Sequence, residues 1–369
     1  MKRLLLIGGG HSHIEVLRRL ALRPETAAET VLISTHSTTV YSGMLPGAIS
    51  GHYRLDECRV DLARLARRAG AHFIEARVNG LHLDAKLAFC ADGRSLAYDV
   101  ASIDIGSRPA TLGVPGASHN ALGIKPIETF MQRWEDIVAH ARDLPIGYRL
   151  LVVGAGAAGV EVLLAMQHRL IRAGARDPRF GLATDSAQIL PAHAPRAQRI
   201  FTRLLRERQV DTYCGERVVR VMPRAVLLAD GKEIPADLIV WAAGAAAPLW
   251  PGACGLATTA HGFVLVNSYL QSVNRPEIFA AGDVAELRGN PRPKAGVYAV
   301  RQGPALAANL RRALNGAPLV VFHPQRRALA LISTGDRHAV ASRGCLAVEG
   351  AALWRCKDWI DRRFVGRYA

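Results

Sequence analysis

Apolar positions along this chain recur in two places with the same rhythm. A continuous apolar run, a glycine cluster and a segment with helical hydrophobic period follow one another over residues 3–20. The order returns over residues 149–164, read as RLLVVGAGAAGVEVLL. Each unit is followed by another short apolar strand, at 30–33 and 180–183. Two strand–helix–strand units of this kind predict two parallel, doubly wound sheets, each with helices on its faces. Alternating runs at 71–76, 78–83 and 87–89 predict a small β-layer, and 218–221, 225–228 and 238–241 predict its counterpart. Helices are expected at 62–69, 126–140, 196–208 and 298–314. Arg288-Gly289-Asn290-Pro291-Arg292-Pro293-Lys294 must be a loop. A third region begins near Leu319, with two strands (328–332 and 339–341) and a terminal helix over 352–368.

The length of 369 residues suits two domains and a smaller third region. The expected division is an α/β domain at 1–115 and 267–318, a second α/β domain at 116–266, and a C-terminal region at 319–369. Both large domains are expected to be Rossmann-like, of the three-layer ββα type. The N-terminal apolar run is too short for a signal peptide and leads directly into glycines, so a cytoplasmic protein is expected. The net charge of +16 comes from arginines spread along the chain, with no basic block and no nucleic-acid motif. It suits a solvated surface, phosphate-bearing ligands or an anionic membrane, and nucleic acid is not expected. The six cysteines include no CxxC or CxxxxC pair, so neither a redox dithiol nor a metal site is expected.

The chemistry concentrates in the glycine loops. Gly154, Gly156 and Gly159 form a complete GxGxxG between strand and helix, where backbone amides can receive a pyrophosphate. The first loop carries Gly8 and Gly10, but His13 replaces the third glycine, so its helix should stand further from the strand. His11 and His13 either face phosphates or simply cap and pack the helix. Ser34 stands where an acidic residue would hold a ribose hydroxyl. Two apolar strands end in similar crossovers, at Gly106-Ser107-Arg108-Pro109 and at Gly244. A third ends in Ala281-Gly282-Asp283 ahead of the helix near Tyr298.

The order of these motifs resembles the pyridine nucleotide–disulfide oxidoreductase superfamily along essentially the whole chain. Lacking a redox dithiol, it is similar to the type II NADH dehydrogenases. Val40-Tyr41-Ser42-Gly43-Met44-Leu45-Pro46-Gly47, Ser333-Thr334-Gly335-Asp336 and the stretch from Lys357 to Phe364 resemble a flavoprotein module found fused ahead of selenide, water dikinase. The resemblance implies FAD at the first loop, with Gly8, Gly10, His11, Ser12, Ser34, Gly106 and Asp283 around it. It also implies Pro46 against the isoalloxazine ring and the helix at Gly296 and Val297 aimed at the flavin. NAD(P)H is implied at Gly154, Gly156, Gly159 and Gly244, and Asp185 favours NADH over NADPH. Gln302 matches a glutamine near flavin and acceptor. Glu161 matches a glutamate near the nicotinamide, or is an acidic residue favoured by the helix dipole. The implied activity passes a hydride from NAD(P)H to FAD and then electrons to a small acceptor, a quinone first. The alternative is a redox-responsive partner in selenophosphate synthesis. The basic, amphipathic terminal helix with Leu353, Trp354, Trp359, Ile360 and Phe364 suits a peripheral membrane contact, its own domain or a homodimer contact.

Overall fold

The computed structural model describes residues 1–368 apart from Ala27, Leu112 and 326–327. The chain enters through β1 (Lys2–Ile7), α1 (His11–Leu22) and β2 (Ala28–Ser34). Leu4, Leu5, Leu6 and Ile7 are all buried, which is the pattern of a central parallel strand covered on both faces. A short helix, α2 (Leu45–Ile49), follows, and β3 (His72–Glu75) and β4 (Val100–Ile103) then flank β2 and β1. The second unit holds β5 (Leu122–Gly123), β6 (Arg149–Val153), α3 (Ala157–Arg172), β7 (Arg179–Thr184), α4 (Pro195–Glu207), β8 (Val210–Cys214) and β9 (Leu238–Trp241). The chain then returns to the first sheet with β10 (Ile278–Ala280), followed by α5 (Gly296–Leu314). The two five-stranded sheets have the orders β10-β4-β1-β2-β3 and β5-β9-β6-β7-β8, and all pairings are parallel.

The β-layers differ from their expected membership. The run at 71–76 supplies β3 of the first parallel sheet, and the first antiparallel meander consists of Val78–His82, Leu87–Cys90 and Ser95–Ala97. Likewise 238–241 is β9, between β5 and β6, and the second meander ends in Glu233–Pro235. Burial separates the two kinds of strand. Ile239, Val240 and Trp241 are each at most 4 % exposed, whereas meander strands keep an exposed face.

The C-terminal region is a three-stranded antiparallel sheet, β11 (Ala330–Ser333), β12 (Ala339–Arg343) and β13 (Leu346–Gly350), closed by α6 (Ala351–Gly366). The strand at 346–350 escapes the sequence pattern because its apolar residues, Leu346 and Val348, face solvent. Ala347 of the same strand faces inward and joins Ile332, Val340, Met44, Leu45, Tyr53 and the buried side of α3 in one hydrophobic core. That core ties the C-terminal region to both large units. Each fully buried Leu, Ile or Val there contributes roughly 1.5–3 kcal/mol of transfer free energy.

The terminal helix also departs from expectation. Trp354 and Phe364 turn inward, together with Lys357 and Asp361, while Trp359 (61 % exposed) and Ile360 (39 % exposed) point away. The inward face therefore carries a buried ion pair, Lys357 Nζ to Asp361 Oδ2 at 2.6 Å, instead of a continuous apolar stripe.

Candidate coenzyme site

In the second glycine loop, Gly154 adopts φ +113°, and a Cβ there would lie 2.6 Å from the Ala243 nitrogen. At Gly159 a Cβ would sit 1.9 Å from the Gly154 carbonyl oxygen, so helix and strand touch through bare backbone. Gly156, the N-cap of α3, faces open space, and no side chain caps the helix. The helix start is thus ready to receive an anion. Asp185 follows β7 directly and is exposed.

The first loop is built on a different plan. Gly8 adopts φ +98° and packs on the Asp104 carbonyl. His13, at the third-glycine position, is buried, with Nδ1 2.7 Å from the Gly8 oxygen and Nε2 2.8 Å from Ser102 Oγ. Because a carbonyl only accepts, Nδ1 carries the proton and Nε2 accepts from the serine. Burial lowers the His13 pKa to about 4, with the Gly8 bond opposing, so the ring stays neutral as this arrangement needs. The expected widening between helix and strand is occupied by this imidazole.

Asp104 was missed by sequence reasoning, although a lone carboxylate closing the apolar run Val100-Ala101-Ser102-Ile103 is its signal. It is 2 % exposed, and Oδ2 accepts from the Ser12 and His13 amides at 2.8 and 3.0 Å. A Cβ on Gly10 would lie 2.2 Å from its Oδ1, and one on Gly282 2.4 Å from it. Desolvation raises its pKa to about 7, against those amide bonds. The dipole end of α1 is therefore already met by a protein carboxylate. Ser12 is spent on internal contacts as well, its hydroxyl donating to the Ala299 carbonyl at 2.8 Å and tying α1 to α5. Ser34, buried at the end of β2, lies beside Gly9.

Around Asp283 the polar groups converge. Asp283 pairs with Lys125 at 3.0 Å and accepts from Ser107 Oγ at 3.2 Å. His11 lies in the same field, its pKa lowered to about 4 by burial, with Asp283 opposing and Lys125 adding. Its Nε2 is shut off from solvent and has no partner, an unmet polar atom that asks for a ligand. Gly106, at φ +69°, faces open space. A Cβ on Gly296, which opens α5 without a side-chain cap, would lie 3.2 Å from Ser42 Oγ, and Val297 beside it is 37 % exposed. Pro46 is buried in α2. Gln302 is buried, and its Oε1 accepts from the Gly282 amide at 2.7 Å, bracing the turn before Asp283.

The two crossovers pair with each other. Arg108–Pro109 and Ala245–Ala246 form an antiparallel ladder, with Gly244 at φ +63° before it, so the ends of the two parallel sheets are joined. Glu161 sits one turn into α3, away from that ladder's partners. Its Oε1 accepts from the Ser333 amide at 2.7 Å, and burial raises its pKa against the pull of Lys357. Lys357 also donates to the Gly43 carbonyl at 2.6 Å, and Tyr41 stacks on Phe364 with ring centroids 4.1 Å apart. Glu161, Lys357, Asp361 and Tyr41 thus gather where α3, α6 and the segment before α2 meet.

Residues 2–303 match the model of the pyridine nucleotide-disulphide oxidoreductase family. The chain belongs to that family. Its relatives include an NADH dehydrogenase-like protein of Mycobacterium tuberculosis, 26% identical over 78% of this chain and 74% of the relative. The demethylphylloquinone reductase NdbB of Synechocystis is 24% identical over 99% of this chain and 94% of its own length. A type II NADH:quinone oxidoreductase of Haemophilus influenzae is 25% identical, covering 87% and 83%. Among solved structures, the sulfide:quinone oxidoreductase of Aquifex aeolicus matches with a TM-score of 0.86 at 20% identity, over 100% of this chain and 91% of that one. That likeness establishes the fold. The family is dependent on FAD and NAD(P)H, and this member is a flavoprotein oxidoreductase using a nicotinamide coenzyme. The residues fit both coenzymes: the start of α3 is an open cradle, and the unmet His11 Nε2 and the open space at Gly106 are compatible with a flavin.

Proposed function

We propose that this enzyme takes reducing equivalents from NADH in preference to NADPH and delivers them to a quinone-like acceptor. FAD, when bound, supplies the two-electron step between nicotinamide and acceptor. Asp283 would hold its ribityl chain, Pro46 would lie against its ring, and the N-terminus of α5 at Gly296 and Val297 would favour negative charge at its pyrimidine edge. The open start of α3 would seat the NADH pyrophosphate, and Asp185 would accept a ribose hydroxyl and repel a 2′-phosphate. Gln302 positions Asp283 through Gly282. Glu161, whose carboxyl burial pushes up, would hold a proton for the acceptor.

The observation that carries the reading is the junction itself, where paired crossovers join the two sheet ends and no cysteine pair stands by to relay electrons. Relatives named for quinone reduction support the acceptor class, and the relatives named above lend the selenophosphate reading no support. The test is NADH-driven turnover of FAD-loaded protein with soluble naphthoquinones and benzoquinones. Saturable quinone reduction is expected, and turnover only with other acceptors overturns the assignment. A peripheral membrane contact would use Trp359, Ile360 and Arg355 on the outer side of α6. No helix among the described residues is long and apolar enough to cross a bilayer. Co-sedimentation with anionic liposomes, lost in Trp359→Ser, is the expected result, and no sedimentation of the intact chain removes the idea.

A further inference from the structure

At the opposite end of α3 from its glycine loop, three segments distant in sequence close around a polar cavity of about 320 Å³. Ser50, Gly51 and His52 come from the end of α2, His168, Arg169 and Arg172 from the last turns of α3, and Asp336 and Arg337 from the turn between β11 and β12. Thirteen residues of helix separate Gly156 from Arg169, or about 20 Å along the axis, so this is a different place from the coenzyme cradle. We propose that it is a binding site for phosphate, free or as the headgroup of a small phosphomonoester.

The charge in the cavity is unbalanced. Three guanidinium groups face one carboxylate, Asp336, which is already held by Arg208 at 2.7 Å. Among the described residues Arg172 and Arg337 make no ion pair, and Arg337 lies over the Trp354 ring at 5.6 Å. Arg169 reaches Glu135 only at 3.8 Å, and that glutamate is half exposed. The Arg169 Nε is closed off from solvent and has no hydrogen-bond partner. An unpaired buried guanidinium donor is costly, and an oxyanion is the acceptor its planar fork matches best.

The backbone is shaped to present these groups. A Cβ on Gly51, at φ +75°, would lie 2.0 Å from Arg169 Nη1, so only glycine lets the guanidinium lie on the chain there. Arg337 adopts φ +61°, a left-handed conformation uncommon for arginine. His52 Nε2 donates to the Gly335 carbonyl at 2.8 Å, and its ring stands 5.3 Å from that of His168. Both imidazoles are lowered mainly by burial, and arginine neighbours add to this, so both line the wall as neutral rings; the one N–H of His52 is taken by Gly335, which leaves His168 as the ring with an N–H to donate. The volume is at the small end of ligand cavities, enough for a phosphate carrying a short sugar. Because the cavity draws on all three regions, its ligand would fasten the C-terminal sheet to both large units.

The test uses full-length FAD-loaded protein, titrated calorimetrically with inorganic phosphate and with ribose 5-phosphate against potassium chloride of equal ionic strength. One site per chain is expected, with a rise in melting temperature that saturates with ligand. Tighter binding of ribose 5-phosphate assigns a phosphomonoester, and equal binding assigns free phosphate. Arg337→Gln, on an exposed turn, and Arg172→Gln should each weaken binding about tenfold, the size of one charge-assisted hydrogen bond, and leave NADH oxidation unchanged. Binding of neither ligand above the chloride control, or equal affinity in both variants, overturns the proposal.

Discussion

Asp104 and His13 form the most unusual residue pair in the molecule, because each stands where a dinucleotide loop ordinarily leaves space. The carboxyl of Asp104 is raised from 3.8 to about 7 by burial. A raised folded pKa means that the stability contribution is complete below about pH 4 and is lost as pH climbs through about 7. The limiting slope for one group is about 1.4 kcal/mol per pH unit. His13 and His11, lowered from 6.5 to about 4, act oppositely and lose stability as pH falls through that window. Asp104→Asn keeps the acceptor for the Ser12 and His13 amides and removes only the titration. Denaturant midpoints from pH 5 to 8 should therefore fall less steeply with rising pH in the variant than in the parent. Parallel curves would remove Asp104 as the titrating group. Ionised Asp104 also opposes a flavin pyrophosphate near α1, so FAD affinity is expected to decline over the same window.

At the scale of elements, the two helices that follow glycine loops make a controlled comparison. On α3 a Gly159→Ala methyl meets the Gly154 carbonyl at 1.9 Å and must force helix from strand, at a cost of roughly 1–3 kcal/mol in unfolding free energy. Gly156→Ala meets nothing and leaves the fold intact, but its methyl points into the open cradle. It should weaken NADH binding about tenfold with an unchanged melting temperature, the loss of one charge-assisted contact. Equal NADH affinity in Gly156→Ala would mean that the coenzyme lies elsewhere. The α3 loop was legible from its complete glycine spacing, because backbone contact between helix and strand requires those residues, and the α1 loop from Gly8, Gly10 and the flanking periodicity, with an imidazole at the third position. The strands 72–75 and 238–241 were legible as strands but not by sheet, since membership depends on pairing across many residues. The inward Lys357–Asp361 pair on α6 was hidden, because charged residues at helical spacing read as a solvent face unless the partner segment is known. Asp104 was readable as a lone acid in an apolar strand, but its amide partners lie about ninety residues away in sequence.

For the whole molecule, the +16 charge gives every phosphate-bearing ligand a favourable field, so coenzyme association should slow as salt rises. One hydrophobic core joins residues 40–58, helix α3 and the C-terminal sheet, so the three regions behave as one packed body around the junction. Under the proposed function, the open loop on α3 and the crossover ladder would bring NADH to a flavin held beside Asp283. Anaerobic mixing of FAD-loaded protein with NADH, followed by flavin absorbance, tests it most directly. Complete bleaching is expected, at lower coenzyme concentration for NADH than for NADPH. Flavin that stays oxidised in saturating NADH would contradict it.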